Sequence, residues 1–286
     1  MRRRNRRTIG LALAGALIVG IAACSDSSGP DEFQNANGFT GGRMYDKFWT
    51  TEAGWNQSDP NLATFNASSN FFRCKQCHAW DRLGNAASYI DRAPSTTRPN
   101  VSSVNLLAAS SSMSAEDLFG AIGSSTGRRA LTADLSTYDP ATNSTVGDQM
   151  PDYGSFMTDA QIWDLVKFLK EEAIDVNLLY AWTTSGSYPT GDITYSNIGL
   201  DGDAAAGDVI YAARCASCHG ADGTTLDLEG RSAGEFVRDK PNETQHKVKF
   251  GQPGSSPPMG TVVSDLDEMK DLYKALTNAT TYPDLP

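Results

Sequence analysis

Apolar positions recur at helical spacing near the end of each half of the chain. Leu266, Met269, Leu272, Tyr273 and Leu276 form one stripe among charged neighbours, which predicts an amphipathic helix with Ser264 as its N-cap. Asp159 to Leu169 repeats the pattern, and Thr158 followed by Gln161 is a capping-box signature for it. Ahead of these, Gly41 to Trp49 predicts an opening helix, and Gly207, Tyr211 and Cys215 fall at i, i+4 and i+8 on one stripe of another. The stretches between are less periodic. Gly54 to Asn70 and Ser124 to Val146 are polar insertions, Ser232 to Phe250 contains helix, and Gly251 to Gly260 (GQPGSSPPMG) is an irregular loop. Trp182 to Ala206 carries turn residues without long periodicity. The pattern therefore predicts an all-α chain of two tandem units, 41–178 with its insertions near 54–70 and 124–146, and 204–286, joined by a linker over 179–203.

Each unit holds one copy of a cysteine motif. RCKQCH spans residues 73–78 and RCASCH spans 214–219, so four of the chain's five cysteines sit in two CxxCH sequences. Covalent attachment of a c-type haem needs two thiols to add to the porphyrin vinyl groups and an adjacent histidine to reach the iron; CxxCH supplies all three on one helical turn. Two CxxC pairs could instead close a four-thiolate zinc site, but they stand about 140 residues apart, far beyond zinc-ribbon spacing. A thioredoxin-like dithiol requires a βαβ context that neither copy has. The expected cofactors are two c-type haems, held covalently by Cys74, Cys77, Cys215 and Cys218, with His78 and His219 as proximal iron ligands.

The order Gly207, Tyr211, CxxCHG, a proline-flanked methionine and a closing aromatic helix resembles class I cytochrome c, and the chain from residue 41 onward resembles two such domains in tandem. That resemblance implies helical domains wrapped around haem, with Met150 and Met259, in their Pro/Gly-containing loops, as the distal ligands. The first unit departs from it at Ala79, where the family commonly has glycine, and in its two insertions. The chain has only three histidines, His78, His219 and His246. With two taken as proximal ligands, methionine must serve at least one iron unless lysine, water or an empty position does. Met157 competes with Met150 but directly abuts the Thr158 cap, which suits packing under the closing helix. Met44 and Met269 read as core. His246 reads as a partly exposed helix residue or a partner for a haem propionate. Tyr45, Trp49, Tyr211 and Tyr273 read as packing between opening and closing helices.

The N-terminus carries the remaining signal. Five arginines among residues 2–7 precede an apolar run from Ile9 to Ala23, the layout of a secretory signal and shorter than the roughly 20 residues a membrane span needs. It ends at Ile21-Ala-Ala-Cys24, which resembles the lipobox of bacterial lipoproteins and implies a lipid-bearing Cys24 after removal of residues 1–23, followed by a flexible tether over 24–40. That removal leaves 19 basic residues of 24 against 34 acidic ones, and the formal charge moves from −10 to about −15. Such a surface disfavours nucleic acid and anionic lipid and favours redox protein partners with basic docking surfaces. The expected function is electron transfer by an exported, lipid-anchored dihaem protein on the periplasmic or extracytoplasmic face, a carrier rather than an enzyme, with His/Met ligation at both irons. The alternatives are a dihaem oxidoreductase, peroxidase-like or acting on a small inorganic substrate, and a haem subunit of a larger dehydrogenase or oxidase complex.

Overall fold

A computed structural model describes residues 30–256 and 259–286. The signal segment, Cys24 and its lipid lie outside these residues. No helix among the described residues is long and apolar enough to cross a membrane. Among the described residues, regular structure is helical except for one hairpin, in which Ala181–Ser185 and Asp192–Ser196 pair antiparallel with Trp182 opposite Tyr195.

The same device is built twice. In the first half the opening helix Gly38–Lys47 crosses the closing helix Asp159–Lys167; in the second, Ala204–Arg214 crosses Leu266–Leu276. At each crossing the residue ahead of the opening helix, Asn37 or Asp203, donates its backbone N–H to a closing-helix carboxylate, Asp164 or Asp271, at 2.6 Å. Four residues later, Gly41 or Gly207 meets the backbone carbonyl of that same aspartate so closely that a Cβ would lie 1.9 or 2.0 Å from its oxygen. Only glycine allows two helix backbones to approach this far. The Thr158–Gln161 capping box is present as expected.

Several boundaries differ from the sequence expectation. Residues 31–40 of the expected tether are largely helical, in Asp31–Asn35 and the start of Gly38–Lys47, and Phe33 is buried edge-on against Trp163. The last helix is capped by Asp265 rather than Ser264, because the aspartate carboxylate reaches both the Asp267 and Glu268 N–H groups at 3.0 Å. The first closing helix continues beyond Lys167 as a wider turn over Phe168–Glu172.

The insertion over 54–70 is polar in composition, yet it contributes Trp55 and Phe65 to an aromatic cluster around Phe48, and Phe65 is fully buried. Leu62 and Phe65 pack from the short helix Leu62–Ala67 and Trp55 from the turn ahead of it, and the surrounding Asn, Ser and Asp conceal them in a composition count. The insertion over 124–146 anchors itself through Tyr138, whose ring packs edge-on against Phe71 at 5.0 Å and whose hydroxyl donates to Asp148 at 2.7 Å.

The two halves interlock. Helix Pro241–Phe250 belongs to the second half by sequence but places Phe250 in the first half's core, against Phe168 and Phe39. Leu83, Ala87, Ile174 and Val176, all before the hairpin, join the second core. The expected linker is accordingly part of the packing, since Leu179 and Tyr180 are buried and Tyr180 meets Tyr195 edge-on at 5.3 Å.

Candidate functional site

The first CxxCH forms the one-turn helix Cys74–His78. It is tied to the opening helix at both ends: Arg73 pairs with the Asp46 carboxylate and donates to its carbonyl at 2.8 Å, while the Tyr45 hydroxyl donates to the Ala79 carbonyl at 2.7 Å. The second motif follows Ala204–Arg214 directly, as the turn Ala216–His219. There the Tyr211 hydroxyl donates to the Gly220 carbonyl at 2.9 Å. Both motifs thus hang from an opening-helix tyrosine through the carbonyl just after the histidine. That residue has nearly the same backbone angles in each, φ 63° and ψ 168° at Ala79, φ 83° and ψ 164° at Gly220.

Burial sets the chemistry of the donors. It pushes the Cys74 and Cys215 thiols up to about 11 and Cys77 up to about 12. A redox dithiol needs the opposite shift, toward thiolate, and neither pair is joined in a disulfide. Burial lowers His78 to about 4, with Arg128 assisting, and lowers His219 as well, so both imidazoles are neutral and able to ligate iron. Zinc would require the pairs to converge, and among the described residues no group of three His, Cys, Asp or Glu side chains does so.

In the second half Cys215, His219 and Met259 line one cavity of about 210 Å³, walled by Tyr211, Phe236 and Leu272. Met259 reaches it from the irregular loop: its carbonyl accepts from Gln252 N at 2.9 Å, and its own N–H donates to the Ser255 hydroxyl at 3.1 Å. The turn depends on Gly251 (φ 83°), where a Cβ would lie 2.3 Å from the Met259 carbonyl oxygen. In the first half Met150 is half-buried against the core, in a loop stitched to the insertion by Arg129 N to Met150 O and Asp152 N to Arg129 O, both 2.9 Å. Met157 is a buried member of that core.

His246 is not partly exposed. It is 1% exposed, ringed by Tyr45, Trp80, Phe168 and Phe250 at 4.8–5.8 Å, and its Nε2–H donates to the Gly42 carbonyl at 2.9 Å. Beside it, Gln245 donates to the Trp80 carbonyl at 3.1 Å. His246 is a structural contact between the halves, outside the cavity.

These residues suit a covalently held haem. The two thiols of each motif share one turn with a neutral histidine, the Nδ1 atoms of His78 and His219 are buried without partners, and the second cavity adds a thioether. Sequence reasoning did not single out Tyr153, whose hydroxyl donates to the Phe72 carbonyl at 2.7 Å and lies 3.8 Å from the Cys74 sulfur, or Arg128 and Arg129. The adjacent arginines in a Ser/Thr-rich insertion were the available signal.

No curated protein and no solved structure matches the chain. Two family models do: cytochrome c over residues 65–172, and cytochrome c oxidase, cbb3-type, subunit III over residues 202–274. The chain therefore carries a cytochrome c domain and a cbb3-type cytochrome domain in succession, which together imply c-type haem and support haem-based electron transfer.

Proposed function

We propose that the protein is an electron carrier with two c-type haems, attached through Cys74, Cys77, Cys215 and Cys218 and ligated by His78 with Met150 and His219 with Met259. The observation that carries this reading is the convergence of Cys215, His219 and Met259 on one apolar cavity. Bound there, haem supplies one-electron transfer at iron. The chain would hold it with a neutral imidazole and a thioether as the protein ligands to iron, a donor pair that suits electron transfer rather than substrate binding. Tyr211 fixes the carbonyl beside His219, and the Gly251 turn sets where Met259 enters. In the first half Tyr45 plays the same part for His78, and the Arg129 backbone bonds position the Met150 loop.

The basic n-region, short apolar run and Cys24 support export to the extracytoplasmic face and attachment there by lipid. The acidic chain suits a redox partner with a basic docking surface, and the second family match, to a subunit of an oxidase, supports a protein partner. Spectra of the oxidised protein test the ligation. Two His/Met sites give low-spin iron with the weak methionine-sulfur band at the red edge. Met150→Ala removes that band from one haem, whereas Met157→Ala keeps it and costs about 2–5 kcal/mol of stability as a core truncation. High-spin iron in the unaltered protein, or retention of the band at its full intensity in Met150→Ala, refutes the assignment.

A further inference from the structure

The insertion over 124–146 brings an unpaired charge to the first motif. Arg129 is 2% exposed. Its Nη2 donates to the Phe71 carbonyl at 2.5 Å, and its guanidinium lies 4.9 Å from the Phe72 ring centre. Nε and Nη1 are buried with no partner. The groups that act on its charge are Tyr153 and Cys77, and neither is a carboxylate. One neutral hydrogen bond and one ring contact do not offset the desolvation of a guanidinium, so a buried cation of this kind calls for an anion. The backbone keeps it in place, because the same residue is bonded in both directions to the Met150 loop. Arg128 stands beside it, with a buried, unpartnered Nε and an influence on His78. Among the described residues the second half shows no counterpart: the basic side chain lining its cavity, Lys247, is already paired with Glu243 at 2.8 Å.

We propose that Arg129 receives a propionate carboxylate of the haem held at Cys74, Cys77 and His78, and thereby sets that haem at a higher reduction potential than the haem of the second half. A charge-assisted bond from guanidinium to carboxylate supplies the missing counter-ion. A cation held there disfavours the additional positive charge of ferric iron, which raises the potential. The two haems then differ by construction, and an electron entering at the second settles on the first.

The test uses the full holoprotein and spectroelectrochemical titration, with the first haem assigned by its loss in a Cys74→Ala/Cys77→Ala variant. In Arg129→Gln the reduction equilibrium constant of the first haem falls at least tenfold, which is 59 mV for a one-electron couple. The second haem is unchanged, and Arg129→Lys restores most of the difference. Arg129→Met, which keeps the apolar contact with Phe72, serves as a second charge-free variant. Reduced thermal stability with both potentials unaltered assigns Arg129 a structural role only and overturns the proposal. So does a crystal structure of the wild-type holoprotein with no propionate oxygen in hydrogen-bond reach of the guanidinium. The inference rests on the haem reading of the first motif, which the mass of the purified chain tests separately. Two haems with unaltered potentials refute the role of Arg129 alone, whereas a chain lacking haem on Cys74 and Cys77 overturns both.

Discussion

Ala79 and Gly220 stand at one position of a repeated design and obey the same backbone geometry, but only one of them is suited to it. The region near φ 63°, ψ 168° is populated almost solely by glycine, and a side chain there costs on the order of 1–3 kcal/mol. Ala79 is fully buried, so Ala79→Gly loses about 0.8 kcal/mol of methyl burial while relieving that strain. The expected outcome is a net gain of about 1 kcal/mol, read as a melting temperature raised by roughly 2–4 °C; a lower melting temperature counts against the strain. His246 makes the second residue-level prediction. Burial pushes its imidazole down to about 3, with Asp46 and the Gly42 carbonyl opposing and Arg82 and Lys75 assisting. The unfolded chain takes up this proton near pH 6.5, and the folded chain does not until about pH 3. The stability contributed by the neutral ring is thus complete above pH 6.5 and is lost as pH falls below it, by up to about 1.4 kcal/mol per pH unit. Denaturant midpoints measured from pH 7 to 4 should fall less steeply in His246→Gln; parallel slopes would rule the histidine out as their cause.

Among the elements, the glycine crossings decide how each half closes. Gly41→Ala and Gly207→Ala each drive a methyl into a helix carbonyl that cannot move without its helix, so each should cost about 3 kcal/mol in chemical unfolding. Either variant unfolding like wild type would show that the helices do not meet there. The closing helices were legible because burial of one face forces a 3.6-residue period on the sequence, and the capping box marks its own start. The hairpin was not read, although WTTS and ITYS bracket a cluster of turn residues and Asp192–Ser196 alternates polar and apolar, because each strand is only five residues long and mostly exposed and Ala181–Ser185 does not alternate. Phe65 and Trp55 escaped for a related reason. Single aromatic residues in a polar stretch have no period, and only a partner from elsewhere shows that they are core.

For the molecule as a whole, helix Pro241–Phe250 is the shared wall. Thr244, Lys247 and Val248 line the second cavity, while Gln245, His246, Lys249 and Phe250 face the first half, where Lys249 donates to the Glu172 carbonyl at 2.8 Å. Gly42 lies flat against the Phe250 ring, with a Cβ position only 2.4 Å from it. Two halves joined this closely should melt together. Calorimetry of the wild type should give one transition, and Phe250→Ala, a truncation worth about 3–5 kcal/mol, should separate it into two. Two transitions in the wild type would mean that the interlock contributes little.

The sequence alone determined the two CxxCH motifs and the repeated helical plan. Paired thiols and a histidine on one turn are a local requirement, and amphipathic helices write their period into the chain. Only the tertiary structure decided what becomes of groups whose role depends on distant partners: His246 as a buried contact between halves, Arg129 as a cation with no counter-ion, Phe250 as core for a domain to which it does not belong by sequence. Burial and the loss of water give these side chains their energies, and burial is a property of neighbours that lie far away along the chain.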